Sequence, residues 1–559
     1  MSEQHPPPGT PEYLEYGAGS PLAPEPAQPA TGPRRSRRAW WVGGGVVALL
    51  GVGAGAWAVM SFFQQGAQPA EALPATTVGY LSLDLDPSGG QKIDAFRTLN
   101  KFPAFKKDVG VDSVDQLREK IGDALVSGSG CAGVDFDRDI DPWLGNRLAA
   151  AVVPVGSDED PQVVLVAQVT DDDKATAGIK KLGACAGGGQ TGVVVTNGWA
   201  IVAESQKTAD AVSEAARSGS LADDPTYQKW TDAVGDAGVL NAYASPDAGR
   251  IAGKKLGELF DGGGMSPFGI SGGDTEAYSS ELSVQSSALH ATADGTAPFS
   301  DALSGFHGGA ATLRFTGDGL ELAAAGDGSS AELKDFASAT AGGLVSRLPA
   351  DTGAAAGLSL SPGWVDRRLS GLSLAFGGGS KEDLYREMSQ ATGLDVPADI
   401  ETLLGSGVAV SVSKDLDPEA VENSADGSGI PVAATVKGEP AKIEAVLDKI
   451  RARTGDTTFL GSDSSGDLEV VGPSESYRTS VLQGGDLGSD GTFRSVIASG
   501  SDAGSLIYVN VDAFEPALKK LASGGDADDI ANLLPLRAVG LSSWIDNGVA
   551  RVSLKVSTN

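Results

Sequence analysis

An uncharged apolar run near the N-terminus limits how this chain can be arranged. Residues 40–63 read WWVGGGVVALLGVGAGAWAVMSFF, 24 residues without a charged side chain. A helix of that length spans about 36 Å, whereas the hydrocarbon core of a bilayer is about 30 Å thick. The run therefore predicts a transmembrane helix over residues 39–63, with aromatic side chains near both membrane interfaces.

The charges beside this run predict its orientation. Four arginines precede it, while residues 64–83 carry no basic side chain. The positive-inside rule then places the N-terminus in the cytoplasm, which predicts a type II single-pass protein of the cell membrane with its bulk outside. The arginines are Arg34, Arg35, Arg37 and Arg38. A GxxxG pair in the run, Gly51 and Gly55, would allow two such helices to form a homodimer.

A cleaved export signal is the alternative interpretation of the N-terminal region. SRRAWW (36–41) resembles a twin-arginine signal, and Ala70-Glu71-Ala72 resembles a cleavage site. The apolar run is longer than the 7 to 15 residues typical of a signal, and about 40 residues precede it. These two features favour a retained anchor.

Composition separates the two ends of the chain. Residues 1–38 are Pro-rich, lack apolar periodicity and contain as many acids as arginines, which predicts a disordered cytoplasmic tail. The net charge of −31, from 73 Asp plus Glu against 42 Lys plus Arg, therefore belongs to residues 64–559. This acidity argues against nucleic acid and favours cations or basic partners.

After a linker over residues 64–72, one order of features occurs twice, which predicts two related units over 73–335 and 336–559. Each begins with an LPA turn and an alternating run, continues through helical stretches, and has a strand-like run beginning Leu-Gly. The second unit ends in a hairpin pattern over 539–557; residues 278–295 correspond to it, and 311–326 are an added hairpin-like stretch. The expected fold class is α+β, a transmembrane helix followed by two tandem α+β units with mainly antiparallel sheets.

The Pro-rich tail, arginine cluster and apolar run are followed by VGYLSLDLDPSGGQKIDAFRTLNKFP and DPWLGNRLAAAVVP. This arrangement resembles the actinobacterial membrane-protein family called domain of unknown function 3352 (DUF3352). The likeness is most specific between residues 73 and 154. It implies the same topology and a repeated α+β exterior, and it implies no activity.

Two cysteines and several acidic patterns are the candidate site residues. Cys131 and Cys185 would lie in an oxidising compartment, which favours a disulfide over two free thiols. Asp84 and Asp86 begin an EF-hand-like pattern whose twelfth position is Ala95 instead of Glu. A second set alternates along one loop: Asp135, Asp137 and Asp139. Both patterns are more typical of solvated turns than of calcium sites, so we expect no cofactor.

No catalytic group is evident in the sequence. Gly269-Ile-Ser271-Gly-Gly273 fits the G-x-S-x-G elbow of hydrolases, but MSPFG precedes it and GGD follows, instead of a strand and a helix. We therefore expect a non-catalytic binding or scaffold protein of the cell envelope, with a protein partner or a wall component. The alternative is a surface solute-binding or calcium-dependent protein with its ligand between the two repeats.

Overall fold

In the computed structural model of the protein, sixteen antiparallel strands of the described residues form one continuous sheet. The structure describes residues 68–559 apart from 85–88, most of 109–132, 156–160, 186–190, 252–305, 368–379, most of 418–426, and 523–526. The strands are β1 Gly79–Asp84, β2 Leu144–Val153, β3 Gln162–Val169, β4 Gly192–Thr196, β5 Trp199–Ala203, β6 Leu240–Ala244, β7 Gly309–Thr316, β8 Gly319–Asp327, β9 Thr352–Ser359, β10 Gly407–Ser413, β11 Val432–Lys437, β12 Ser462–Ser465, β13 Leu468–Val471, β14 Ser505–Asn510, β15 Leu536–Asp546 and β16 Val549–Thr558.

Helices of 4 to 15 residues connect these strands and pack on the sheet. Among the described residues they are α1 Gly89–Leu99, α2 Pro103–Asp108, α3 Phe136–Asp139, α4 Asp172–Cys185, α5 Gln206–Ser218, α6 Pro225–Val234, α7 Ala331–Lys334, α8 Thr340–Ser346, α9 Lys381–Thr392, α10 Ala398–Leu404, α11 Pro440–Thr454, α12 Glu475–Gln483, α13 Gly491–Val496, α14 Glu515–Ala522 and α15 Ala527–Leu533.

The order of the strands is the same in both halves of the chain. From one edge of the sheet inward, the first half runs β4-β5-β3-β2-β1-β6-β7-β8, and the second runs β12-β13-β11-β10-β9-β14-β15-β16. The last strands of the halves, β8 and β16, pair antiparallel, with Ala323 opposite Ser553. Both residues are fifth in their strands, so an approximate twofold axis passes between them.

Local contacts recur along with the strand order. In the first half the rings of Tyr227 and Tyr243 meet edge to face at 5.1 Å, and in the second half Phe493 and Tyr508 meet in the same way at 5.0 Å. The LPA turns recur too, because Thr77 and Thr352 each donate a hydroxyl hydrogen bond to the turn proline's carbonyl, at 2.6 and 2.7 Å. The repeat therefore extends from topology to individual side-chain contacts.

Side chains alternate between two faces of the sheet, as strand geometry requires. Face A, which includes Ile201 and Leu506, is covered by α5 and α6 in the first half and by α8, α12 and α13 in the second. Face B, which includes Phe315 and Val436, is covered by α1, α2 and α4 in the first half and in part by α10 and α11 in the second. The apolar cores therefore lie on both sides of the sheet.

A buried carboxylate joins the two halves on face A. Glu321 of β8 is 6% exposed and accepts hydrogen bonds from Arg314 Nε at 2.9 Å and from Ser553 Oγ at 3.0 Å. Lys555 Nζ lies 3.6 Å from the same carboxylate. Because Ser553 and Lys555 belong to β16, this group links the halves through side chains as well as through backbone pairing.

One outer edge of the sheet is blocked by a side chain. Gln206 Oε1 accepts a hydrogen bond from the Val193 amide, and Gln206 Nε2 donates to the Val193 carbonyl, both at 3.1 Å. The glutamine amide thus occupies backbone groups of β4 that another strand would use. This contact protects the edge from pairing with a further chain.

The expected fold class is wrong, because the structure is a mixed α/β architecture built on one large antiparallel sheet. The two predicted units share one sheet. If each formed a sheet of its own, β8 and β16 would both be edge strands with unpaired backbone groups. No helix within the described part of the chain is long and apolar enough to cross a bilayer, so the structure does not support a single-pass membrane protein or a cell-membrane location. The predicted span over residues 39–63 lies outside the described residues, as do Arg34, Arg35, Arg37, Arg38, Gly51 and Gly55.

The correspondence proposed between the hairpins is also wrong. The hairpin β7–β8 pairs and lies in the sheet as β15–β16 does, so it is the counterpart of that hairpin and no addition to the first unit. Residues 278–295, which the sequence pattern matched to β15–β16, lie outside the described residues. The strand order decides the correspondence where short alternating runs are ambiguous.

Replacing Glu321 by alanine should destabilise the protein. The change leaves the partly buried Arg314 guanidinium without its carboxylate, and loss of one partner from such an ion pair lowers the free energy of unfolding by about 3 kcal/mol at most. Urea denaturation of Glu321→Ala beside the wild type measures the difference. The matched control, Glu382→Ala at an exposed position of α9, should change stability by less than about 0.5 kcal/mol. Equal effects of the two changes would show that Glu321 does not join the halves.

A candidate binding surface

Three neighbouring strands of the second half leave part of face B open to solvent. Val410 of β10, Ala356 of β9 and Ile507 of β14 lie directly opposite one another in the paired register. All three are exposed, with Val410 at 47% and Ile507 at 48%. Exposed aliphatic side chains in a single line differ from the scattered apolar residues of an ordinary protein surface.

The same line continues across the axis of the sheet. Ile507 lies opposite Leu541, Leu541 opposite Leu554, and Leu554 opposite Leu322. We call the set of these six residues, from Val410 to Leu322, the apolar row. Its six strands span about 24 Å at the usual strand spacing. Beyond Leu322 the line reaches Leu313, which is 4% exposed, so the apolar row runs from open surface into the core of the first half.

The equivalent positions of the first half are smaller or better covered. The twofold relation matches Val410 with Ala150 and Ile507 with Ala242. Ala150 is 7% exposed, while Val410 in the second half is larger and far more accessible. Folding alone favours the opposite distribution, because exposed aliphatic surface adds no stability. The difference therefore points to a role of the second half in binding.

Acidic residues border one end of the open strands. Asp351 precedes β9, Asp415 follows β10 and Asp512 follows β14, with Lys414 among them. Asp415 and Asp512 are exposed, and none of the three carboxylates forms an ion pair within the described part of the chain. At the opposite end the residues next to the same strands are Leu360, Ser406 and Gly504, which are uncharged. The surface is thus apolar along the row and negative at one end.

The first predicted calcium pattern does not present free ligands in the structure. Asp84 is 3% exposed, and its carboxylate accepts a hydrogen bond from Arg147 Nε at 3.1 Å. Both side chains lie on face A, where the carboxylate neutralises a buried arginine. Asp86 lies outside the described residues.

The second pattern forms the first turn of a short helix. Asp135 caps α3 by accepting a hydrogen bond from the Arg138 amide at 2.9 Å, while Asp137 is exposed. Asp139 is bound by Arg138 at 2.8 Å and by Lys181 at 2.6 Å, and these hydrogen bonds hold its carboxyl pKa well below the usual value. In the described ranges no three His, Cys, Asp or Glu side chains converge as a metal site would require.

A polar cluster near the β12 edge was not anticipated from the sequence. Arg451 donates to Glu444 at 2.6 Å and to Ser462 at 2.8 Å, and Ser462 donates to Glu444 at 2.7 Å. Glu469 lies beside this closed triangle and is 2% exposed. Burial, and then the nearby charge of Glu444, raises the pKa of the Glu469 carboxyl.

The comparisons with known proteins identify a family over part of the chain. The model of a family described as "Protein of unknown function (DUF3352)" matches residues 42–188. The chain is similar to the DUF3352 family over this segment, which is about a quarter of its length. No curated protein and no solved structure matches the chain. The match confirms the family resemblance, and the family's description assigns no catalytic activity.

The DUF3352 segment covers only part of the first half. Its described portion contains β1, β2, β3 and α4, together with Cys131 and Cys185. The two cysteines are joined in a disulfide, with their Cα atoms 5.6 Å apart. The bond ties the loop before α3 to the end of α4 and so braces the helices that cover face B. The open strands of the apolar row lie outside the segment.

The apolar row itself was missed because its sequence signal is ambiguous. The segment GVAVSVS alternates valine with small residues, and such alternation ordinarily assigns the larger side chains to the covered face. In β10 the small residues Ala409 and Ser411 face the helices of face A, while Val410 faces solvent. The sequence between β14 and β15 does not indicate which helices cover which strands, and neither does the corresponding sequence of the first half.

Replacing Glu469 by glutamine should stabilise the protein at neutral pH. Because the pKa of Glu469 is raised in the folded state, the folded protein binds this proton more tightly than the unfolded chain does, and the stability so gained is lost as pH rises through the folded-state pKa. Glu469→Gln removes this loss, so its free energy of unfolding should exceed that of the wild type at pH 7.

The difference in free energy of unfolding between Glu469→Gln and the wild type should shrink below a pH of about 4.5, where the Glu469 carboxyl of the unfolded chain is also protonated. Urea denaturation at a series of pH values measures it. Glu387→Gln, an exposed change on α9, is the control and should follow the wild type at every pH. If Glu469→Gln is less stable than the wild type at pH 7, the pKa of Glu469 is not raised in the folded state.

Proposed function

We propose that this protein is a non-catalytic binding or scaffold protein that holds a protein partner on the apolar row. The observation that carries the proposal is the exposed line Val410, Ala356 and Ile507 on three adjacent strands. A contiguous apolar surface of this kind is characteristic of sites that other polypeptides cover.

The energetics of the apolar row support a protein partner over a small ligand. Complete burial of a Val or Ile side chain contributes about 1.5 to 3 kcal/mol, so a half-exposed one has about 1 kcal/mol still to gain. Several such residues are needed to offset the loss of motion on association. Val410, Ala356 and Ile507 are exposed, and the partly buried leucines of the row extend it to about 24 Å, which exceeds what one small molecule covers.

The polar groups outside the apolar row support a role without catalysis. Asp84, Asp139 and Glu444 each form hydrogen bonds or ion pairs with a neighbouring cation, and these contacts explain their positions by stability alone. The two halves meet through the paired backbones of β8 and β16 and leave no cleft between these strands for a solute. We therefore propose that the protein binds its partner on the surface of the sheet.

Photo-crosslinking in the cells that produce the protein tests the proposal. A photoreactive amino acid replaces Ile507 in one full-length variant and Phe459 in another. Phe459 is the matched control, because it is an equally exposed apolar residue (47%) that lies outside the apolar row. We expect a discrete adduct from position 507 and none from position 459.

A second variant connects the adduct with the apolar row. Val410→Ser, placed in the chain that carries the photoreactive group at position 507, should reduce the adduct several-fold and change the free energy of unfolding by less than about 1 kcal/mol, since Val410 is half exposed. The absence of an adduct at position 507, or the same adduct at position 459, would show that the apolar row does not hold a partner.

A further inference from the structure

The dimensions of the open strands limit what can cover them. From β10 across β9 to β14 is two strand spacings, about 10 Å. An α-helix with its side chains is about 10 to 12 Å across. One helix laid on face B therefore covers Val410, Ala356 and Ile507 together.

The first half shows that helices cover this face elsewhere in the molecule. There α1 packs on β7 and β8, and Ala95, Leu99 and Phe105 of α1 and α2 enter the core of face B. The second half also contributes to this cover, because Asn532 of α15 accepts a hydrogen bond from the Ala104 amide of α2 at 2.9 Å. In the first half, helices thus cover the apolar side chains of face B.

The acidic end of the open strands selects the charge of the partner. Asp351, Asp415 and Asp512 outnumber Lys414 there and have no ion-pair partner among the described residues. A second copy of this chain, which also carries a net charge of −31, would add repulsion to any contact between apolar rows. A helix with Lys or Arg near one end would instead bring opposite charges together.

We infer that the apolar row binds an amphipathic helix of a different polypeptide, with an aliphatic stripe against Val410, Ala356 and Ile507 and with basic residues at the end beside Asp415 and Asp512. This inference rests on the proposed function and names the class of partner. The aliphatic stripe provides affinity, and the basic end provides orientation.

Three synthetic helical peptides of 18 residues test the inference with the full-length protein. The first has a leucine stripe and lysines at one end, the second has glutamate in place of each lysine, and the third keeps the lysines but has serine in place of each leucine. Fluorescence anisotropy at about 0.15 M salt measures binding. We expect the first peptide to bind at least tenfold more tightly than either of the others.

Variants of the protein locate the binding. Val410→Ser combined with Ile507→Ser should weaken binding of the first peptide at least tenfold, while Phe459→Ser, at the matched exposed position, should leave it unchanged. Asp415→Asn combined with Asp512→Asn should weaken the lysine peptide several-fold and leave the glutamate peptide unchanged or tighter. The Ser variants fold if their urea transitions match that of the wild type.

Several results would overturn the inference. Equal binding of the lysine and glutamate peptides would reject a basic partner, and equal binding to the Val410→Ser, Ile507→Ser variant would reject the apolar row as the site. A concentration-dependent dimer that the same variant abolishes would assign the surface to a second copy. An adduct at position 507 in cells without binding of any peptide would reject the helix and retain the proposed function, whereas the lack of both would reject the two together.

Discussion

The antiparallel pairing of β8 with β16 holds the two halves of the molecule in one sheet. It converts two eight-stranded halves into one sixteen-stranded sheet and sets Ala323 opposite Ser553 near the twofold axis. Glu321, with Arg314 and Lys555, adds a buried charged group at the same junction. Without this ladder each half would expose a long edge strand, and exposed edges pair readily with other chains.

The same pairing makes the apolar row continuous. Because Leu554 lies opposite Leu322, the open aliphatic line of the second half is joined to the covered core of the first. The halves share their topology but have diverged in how face B is covered: helices enclose it in the first half, and Val410 and Ile507 remain exposed in the second. The helical cover of the first half includes a contact from α15 of the second half, and we propose that a partner covers the open strands of the second half.

Much of the local structure follows from the sequence, and the long-range pairing does not. The LPA turns and the strand-like runs that begin Leu-Gly predict elements that are present, and the predicted helical stretches form helices such as α11. Whether two hairpins pair within one sheet depends on contacts far apart in the chain, which alternation alone does not encode. The candidate surface was missed for a related reason. Alternation assigns Val410 to the core, whereas in the structure the small side chains of β10 face the helices. The expected single-pass topology is the largest correction, because no helix within the described residues is long and apolar enough to cross a bilayer. Residues 39–63 lie outside the described residues.

Hydrogen exchange of the full-length protein, read by mass spectrometry, shows whether β8 and β16 are interior strands of one sheet. If these strands form the middle of one sheet, their amides should exchange as slowly as those of the interior strands β1 and β9, because both sides of each strand are hydrogen-bonded. If the halves are separate sheets, β8 and β16 become edges, and about half of their amides should exchange orders of magnitude faster than those of β1 and β9. We expect slow exchange in β8 and β16; fast exchange would show that the two halves do not share one sheet.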